Sequence, residues 1–295
     1  MLLLTPIIAL SGVIGCTDDT ATDDTSTLDT DADATDDHTH DSDTVDAHIH
    51  GLGFWGDSKE VILGTHEGTW RTDSAGEGLL PLCEYGDFMS FVQSPDDPDT
   101  YWGSGHWGAG GYSNWGFIES TDGGVTFDEI DLTGQVDFHA LGVSPTHPGA
   151  IAAVYSGGLF WSGDSGRSWD YTSWNGGPTG LLMGDPAVPV LWAAGSSGIE
   201  ELRGPDLDST TVVSGSVHSL DAGPLGLLYS DSEGLHSCAA DFGGCTTWPG
   251  PSGVTPTHVL QDPDALDHLY VLDTGSSVHH TEDGGETWTV IVEGG

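Results

Sequence analysis

The sequence predicts an all-β fold in which a unit of four short strands recurs around a ring. Apolar segments of strand length begin roughly every forty residues between His50 and His258, and turn residues separate the strands within each interval. One octapeptide also recurs in the last turn of several units. Four-stranded repeats of this length are typical of β-propeller blades. Six strand starts predict six blades, and a seventh would need a degenerate unit around the tryptophan-rich insertion at residues 106–115.

Each predicted blade begins with an apolar strand. The six starts are His50-Gly51-Leu52, Met89-Ser90-Phe91, His139-Ala140-Leu141, Gly180-Leu181-Leu182, His218-Ser219-Leu220 and His258-Val259-Leu260. The interval from His139 to Asp164 equals that from His258 to Asp283, which supports this alignment. Because the ring starts on an inner strand and ends on an outer one, we expect blade packing rather than an exchanged strand to close it. Residues 44–47 could still pair with a strand of the ring.

The recurring octapeptide predicts a tight hairpin. Its three full copies place a hydroxyl, an aspartate, a glycine, a second hydroxyl and an aromatic ring at Ser120, Asp122, Gly124, Thr126 and Phe127; at Ser162, Asp164, Gly166, Ser168 and Trp169; and at Thr281, Asp283, Gly285, Thr287 and Trp288. The carboxylate accepts hydrogen bonds from turn amides, and glycine adopts a backbone conformation that other residues resist. The motif is therefore structural. A degenerate fourth copy runs from Asp241 to Trp248.

The N-terminal segment predicts export and lipid attachment. Residues 1–15 are apolar, too short to span a bilayer, and end in Val13-Ile14-Gly15-Cys16, which resembles a bacterial lipobox. No Lys or Arg precedes the apolar run, and the alternative is a secretory signal cleaved elsewhere. Residues 16–46 would then be lipidated Cys16 and a disordered acidic tether. The predicted propeller occupies residues 47–295, at the periplasmic or outer face of a bacterial cell envelope.

The other cysteines predict one disulfide. Cys238 and Cys245 flank a turn-like segment, and a bond between them suits an oxidising compartment. Cys83 is then the odd one, and we expect it to be a buried free thiol. Three scattered thiols do not supply a zinc site.

The charge balance limits the partners. The chain has 47 acidic residues and four Lys and Arg, for a formal net charge of −43. Such a surface repels nucleic acid and anionic lipid, so we expect membrane contact only through the N-terminal lipid. The acidity favours solubility, and the alternative is binding of calcium or another cation.

The octapeptides resemble Asp boxes, also called BNR repeats. Propellers with such boxes include sialidases, sortilin-like receptors and photosystem assembly-factor-like proteins, and the fold is related to WD40/YVTN-like repeats. A nearer resemblance is to bacterial exported proteins labelled glycosyl hydrolase or exo-sialidase-like. Five segments carry it, namely His48-Ile49-His50-Gly51-Leu52-Gly53, Asp87-Phe88-Met89, Ser104-Gly105-His106, Glu119-Ser120-Thr121-Asp122-Gly123-Gly124 and Asp137-Phe138-His139-Ala140-Leu141. The resemblance implies a propeller from Ala47 onward and little about a reaction.

Sialidase chemistry is disfavoured by the arginines. Sialidases hold the substrate carboxylate with an arginine triad, because guanidinium groups bind carboxylates with two hydrogen bonds. This chain has Arg71, Arg167 and Arg203, of which Arg167 lies inside an octapeptide and Arg203 follows a weak strand. We do not expect the three to converge.

Another glycosidase would need only two carboxylates across a cleft. Residues beside the strand starts are the weak candidates for catalysis, and they are Glu67, Asp87 and Asp137. For each of them the alternative is an ordinary turn or solvated carboxylate.

Histidines predict a metal site in the channel. Several occupy the first strand of a repeat, which lines the central channel of a propeller, and others end second strands near the same end. The candidate ligands are His48, His50, His66, His106, His139, His218 and His258. Converging neutral imidazoles suit Zn²⁺ or Cu²⁺ and suit Ca²⁺ less well, and a nearby carboxylate can orient them. The alternative is that the histidines are inherited with the repeat and bind neighbouring blades.

A binding or assembly module in the envelope is the default function, with a protein or glycan partner. A lipid tether with an acidic spacer would hold the broad propeller face away from the membrane. The glycine- and tryptophan-rich insertion at residues 106–115 is typical of a loop that binds partners. The alternative is that Trp107 and Trp115 cap the core.

Overall fold

The protein is a six-bladed β-propeller. The computed structural model describes residues 13–15, 44–45, 48–56, 58–72, 78–84, 86–107, 114–204 and 206–294. These residues form six antiparallel sheets, each containing four consecutive strands arranged from the inside of the ring to its edge. The predicted all-β class and blade count are confirmed. The tryptophan-rich insertion lies within the second blade, between its second and third strands.

The strands are numbered in chain order. The first three blades consist of β3 (Ile49–Phe54), β4 (Val61–Thr65), β5 (Gly68–Thr72) and β6 (Leu79–Cys83); β7 (Asp87–Gln93), β8 (Tyr101–His106), β9 (Phe117–Ser120) and β10 (Thr126–Asp131); and β11 (Ala140–Val143), β12 (Ile151–Tyr155), β13 (Gly158–Ser162) and β14 (Asp170–Ser173). The last three consist of β15 (Gly180–Met183), β16 (Val190–Gly195), β17 (Gly198–Arg203) and β18 (Asp208–Ser214); β19 (Val217–Gly223), β20 (Gly226–Asp231), β21 (Gly234–Ala239) and β22 (Thr246–Trp248); and β23 (Pro256–Gln261), β24 (Leu269–Asp273), β25 (Val278–Thr281) and β26 (Thr289–Gly294).

Two short strands precede the ring and add a fifth strand to two blades. Strand β1 (Val13–Gly15) pairs with β10 antiparallel, and β2 (Thr44–Val45) pairs with β26 in parallel. The segment before blade one therefore reaches the last blade. Cys16 and most of the predicted tether lie outside the described residues. None of the described residues forms a helix long and apolar enough to cross a membrane.

The core is divided into six clusters, one at each seam between blades. At the closing seam, Leu63 and Trp70 of blade one pack against Leu272 and Val278 of blade six. The outer strands β14, β18 and β22 are largely exposed. Because the second and third strands carry apolar side chains on both faces, each blade buries one face against each neighbour. Packing of the first blade against the last thus closes the ring, as the sequence predicts. Strand β2 adds backbone hydrogen bonds to β26 at the outer edge of the last blade.

The three octapeptides form the same hydrogen-bonded hairpin between the third and fourth strands of blades two, three and six. In blade two, Asp122 Oδ1 accepts from the Thr126 amide at 2.9 Å and Oδ2 accepts from its hydroxyl at 2.6 Å. The Ser120 hydroxyl donates to Asp122 and accepts from the Gly124 amide at 2.9 Å. The same four bonds recur around Asp164 and Asp283. Each carboxylate therefore ties both sides of its turn.

A disulfide occupies the corresponding hairpin of blade five. Cys238 and Cys245 are bonded, with their Cα atoms 4.1 Å apart. Asp241 in this turn accepts from the Gly243 amide at 2.9 Å, so part of the hydrogen bonding is kept. Cys83 is also disulfide-bonded, and the expectation of a free thiol there was wrong. That expectation came from counting cysteines after one had been assigned to lipid; the partner of Cys83 lies outside the described residues.

Acid should weaken these hairpins over a defined pH range. Hydrogen bonds from the backbone and hydroxyl of Thr287, and from Thr281, lower the pKa of Asp283 from 3.8 to about 2. A lowered carboxyl pKa contributes stability that is present above pH 4 and is lost as pH falls towards 2. We expect Asp283→Asn to lower the thermal midpoint at pH 7 and to differ little from the unchanged protein at pH 2. Glu286→Gln, an exposed change in the same turn, is the control; an equal effect of both variants would contradict the assignment.

Candidate functional site: the channel and its histidine-lined mouth

The inner strands of all six blades bring their first residues to one end of the central channel. Because the second strand runs antiparallel to the first, the turn after the second strand lies at the same end. Pairing of Ile49 with Thr65, and of Asp87 with His106, illustrates this. We call this end the channel mouth. Four predicted ligands from blades one and two lie there: His48, His50, His66 and His106.

Two imidazoles meet directly at the channel mouth. Nε2 of His50 and Nε2 of His66 are 2.6 Å apart, and their rings are 4.6 Å apart between centroids. One of the two nitrogens must carry the hydrogen of this contact. The ring centroid of His48 lies 6.3 Å from that of His50 and 5.9 Å from that of His66. Blade one thus supplies three neighbouring imidazoles.

The carboxylate of Asp87, in blade two, lies next to His66 on the side away from His50. Oδ1 of Asp87 lies 3.2 Å from Nδ1 of His66, and Oδ2 lies 3.5 Å from Nδ1 of His106. A carboxylate at Nδ1 favours the tautomer that keeps its proton there, and this leaves Nε2 of His66 as a lone-pair donor. The carboxylate therefore orients His66 towards His50.

The environment keeps His50 neutral. Burial, followed by the nearby imidazoles of His66, His258, His48 and His139, lowers the pKa of His50 from 6.5 to about 4. The imidazole is therefore unprotonated at neutral pH. A neutral ring with an available lone pair is the form that binds a metal ion.

The remaining predicted ligands in the channel have other partners or none among the described residues. His139 has its Nε2 atom 3.2 Å from Asp137 Oδ2, and its side chain is 60% exposed. His218 and His258 have buried Nδ1 atoms without a hydrogen-bond partner among the described residues. Burial lowers the pKa of His258 to about 4. Direct contact between imidazole nitrogens is therefore seen, among the described residues, for His50 and His66.

The weak catalytic candidates have different surroundings. Glu67 is exposed in the turn after β4, where its amide donates to Thr65. Asp87 and Asp137 each lie beside a histidine at the channel mouth. Asp137 also has a buried Oδ1 atom that lacks a hydrogen-bond partner among the described residues.

The arginines do not converge. Arg71 binds Glu60 and lies over the Trp55 ring, Arg167 binds Glu119 at 3.1 Å, and Arg203 binds Glu201. These pairs belong to separate parts of the ring. The predicted lack of an arginine triad is consistent with this arrangement.

The insertion contributes to the core through its ends. The Trp115 side chain is fully buried and packs edge-on against Phe88, with the ring centroids 5.1 Å apart. Trp107 packs edge-on against Trp115 at 5.8 Å. Trp115 is therefore part of the core, as the alternative interpretation of the insertion expected. Residues 108–113 lie outside the described residues.

A cavity of about 600 Å³ lies between the inner strands, towards the end of the channel opposite the mouth. Side chains and backbone from all six inner strands line it, and most of the lining is apolar. Pockets that hold small molecules have volumes of roughly 300–1,000 Å³. The cavity is therefore large enough for a small ligand.

One polar group on the cavity wall, Asp221, was not predicted from the sequence. Burial raises the pKa of Asp221 from 3.8 to about 7, although its Oδ2 atom accepts a hydrogen bond from the Val259 amide at 3.0 Å. A lone aspartate between Leu220 and Ala222, in an inner strand, was the available signal. This carboxyl changes its charge near neutral pH.

Removal of this carboxyl should stabilise the protein at alkaline pH. A carboxyl with a raised pKa costs stability as pH rises from about 4 to about 7, because the unfolded state releases the proton first. We expect Asp221→Asn to raise the free energy of unfolding at pH 8 by roughly 2 kcal/mol, less than a fully dry site would give, since water can enter the cavity. Urea unfolding at pH 4 and pH 8 measures this. A gain of equal size at both pH values would contradict it.

The comparison with solved structures agrees with the propeller fold. No family model matches the chain, and no curated protein does. Among solved structures, the GH74 enzyme of Niastella koreensis is 18% identical with a TM-score of 0.56, over 84% of this chain and 45% of that one. The tricorn protease is 13% identical with a TM-score of 0.55, over 85% and 27%. The chain thus spans less than half the length of either neighbour, and these likenesses show the propeller fold alone.

Proposed function

We propose that the protein is a binding module of the bacterial cell envelope and that its ligand centre is a transition-metal site at the channel mouth. The contact between the ε nitrogens of His50 and His66, with Asp87 behind His66, is the observation that carries this proposal. Two imidazoles that face each other, one of them oriented by a carboxylate, match the arrangement of histidine ligands in metalloproteins.

The donor set selects the metal. Imidazole nitrogens suit Zn²⁺ and Cu²⁺, whereas Ca²⁺ takes oxygen ligands. Zinc bonds of about 2.0–2.1 Å in a tetrahedron place two nitrogens about 3.3 Å apart. The 2.6 Å between the ε nitrogens would therefore widen by about 0.7 Å on binding. His48, whose ring centroid lies 6.3 Å from that of His50 and 5.9 Å from that of His66, can approach as a third ligand.

A metal at the mouth gives the broad propeller face a binding function. With two or three protein ligands, a coordination position stays open for a donor group of an envelope protein or a glycan. The formal net charge of −43 concentrates cations around the protein and repels anionic surfaces. A metal ion at the mouth would be a local positive centre on an otherwise acidic protein.

Metal analysis of the full chain, purified without chelator and then dialysed against Zn²⁺ or Cu²⁺, tests the proposal. We expect about one equivalent of metal to remain tightly bound through histidine ligands. After replacement of this metal by Co²⁺, the protein should show the visible-range absorption that is typical of a tetrahedral site. A chain that stays free of metal after dialysis would overturn the proposal and leave binding without a metal centre.

The envelope location rests on Cys16. Thioether formation would consume the Cys16 thiol, so lipid attachment there excludes a disulfide between Cys16 and Cys83 in the same molecule. Mass spectrometry of the N-terminal peptide from cells would detect the lipid, and Cys16→Ser should move the protein from the detergent phase to the aqueous phase. A protein that stays in the aqueous phase with Cys16 intact would refute lipid anchoring.

A glycoside hydrolase other than a sialidase is the second candidate. The unpartnered buried Oδ1 atom of Asp137 at the channel mouth favours it, because such an oxygen is available to a substrate or water. Turnover of chromogenic glycosides that is lost in Asp137→Asn would support this function. No turnover above the blank would count against it.

A further inference from the structure

A second group of metal-ligating side chains lies in blade six, away from the channel. His268 precedes β24, His280 lies in β25, and Glu282 follows that strand in the octapeptide turn. One ligand atom from each of the three lies within 4.8 Å of the others. We propose that these three residues form a binding site for a divalent transition-metal ion, with zinc as the best match.

His280 is the fixed member of this group. Its ring stacks on Tyr270 with 4.2 Å between centroids and 13° between planes. Its Nε2 atom is buried and has no hydrogen-bond partner among the described residues. An unpaired buried nitrogen is costly unless a ligand satisfies it. Burial lowers the pKa of His280, which keeps the ring neutral and able to bind a cation.

The other two members can move to complete the site. The ring of His268 lies 6.2 Å from that of His280 and nearly perpendicular to it, and the Glu282 side chain is exposed. Zinc needs its donor atoms about 3.3 Å apart in a tetrahedron, so these side chains must close by up to about 1.5 Å. Rotation of an exposed glutamate supplies such a movement at low cost. Two imidazoles and one carboxylate leave one position for water.

The site stands beside the seam that closes the ring. Asp262, at the end of β23, interacts electrostatically with His268 and His280 and also binds Lys59 of blade one at 2.5 Å. A cation at this site is attracted by the negative charges of Asp262 and Glu282 and by the net negative charge of the whole protein. Binding to the folded state alone stabilises it by mass action, so a bound ion would strengthen blade six at the closing seam.

Zinc titration of the full chain tests the site separately from the channel mouth. In a chain that carries His50→Gln and His66→Gln, we expect calorimetry to detect about one equivalent of Zn²⁺. His268→Gln should weaken that binding at least tenfold, and Glu282→Gln should also weaken it. Glu286→Gln removes the same charge from an exposed position of the same turn and is the matched control, with unchanged binding expected.

Two outcomes would overturn the site. One is zinc binding that survives His268→Gln unchanged, and the other is equal weakening by Glu282→Gln and Glu286→Gln, which would indicate attraction by net charge only. Should the channel variants not fold, the rise in thermal midpoint on adding Zn²⁺ to the otherwise unchanged chain provides the second measurement. That rise should be smaller in Glu282→Gln than in Glu286→Gln, and equal rises would refute the proposal.

Discussion

Gly142→Ala is expected to cost about 3 kcal/mol or more, or to prevent folding, because overpacking at a rigid contact is not relieved by side-chain movement. Gly142 lies in β11, and a Cβ atom there would meet the carbonyl oxygen of Leu181 in β15 at 1.6 Å. That oxygen belongs to the backbone of the next blade, so the two inner strands would have to separate. Separation opens the seam between blades three and four. Urea unfolding of the two proteins measures the difference.

A second strand glycine provides the control for this prediction. Gly195 lies in β16, and a Cβ atom added to it would have no neighbour within 4 Å. Gly195→Ala should change the free energy of unfolding by about 0.5 kcal/mol or less. Gly51 lies at the seam between blades one and two, and a Cβ atom added to it would lie 2.0 Å from the carbonyl oxygen of Phe91. Gly51→Ala should therefore destabilise the protein about as much as Gly142→Ala. Equal stability of all three variants would mean that the inner strands are not in close contact.

The periodic part of the fold was predictable because each blade repeats the same local physics. Apolar strands, turn glycines and the Asp122-type hairpin each depend on residues that are near one another in sequence. Their recurrence fixes both the blade and the number of blades. The glycine contacts at Gly142 and Gly51 were not predictable, since each depends on the backbone of a neighbouring blade.

The candidate site was predictable only in part. His50 and His66 lie in adjacent strands of one hairpin, so the register of that hairpin brings them together. The repeat alone does not rank them above His218, because equivalent positions in different blades have different neighbours in the channel. His268 and His280 belong to no repeated pattern, and Glu282 stands at the variable second position of the octapeptide. Their approach depends on how β24 and β25 pair.

His50→Gln should abolish tight metal binding at the channel mouth while the propeller stays folded. His50 supplies one of the two facing ε nitrogens, and glutamine at this position offers no imidazole lone pair. Loss of one of two principal ligands should lower the zinc affinity at least a hundredfold. Asp87→Asn removes the carboxylate that orients His66, and we expect a smaller loss of about 10–100-fold. Competition with a chromogenic chelator measures both affinities, in a chain that carries His268→Gln so that blade six does not contribute.

The order of these effects distinguishes a metal site from inherited histidines. His147→Gln is the matched control, because it removes an exposed imidazole from a loop outside the channel and should leave the affinity unchanged. A ligand role requires His50→Gln to weaken binding more than Asp87→Asn, and both to weaken it more than His147→Gln. If the facing imidazoles only hydrogen-bond each other, His50→Gln would instead lower stability and leave the zinc affinity at the level of the control. The chelator assay and urea unfolding of the same three variants therefore separate the two roles of one contact.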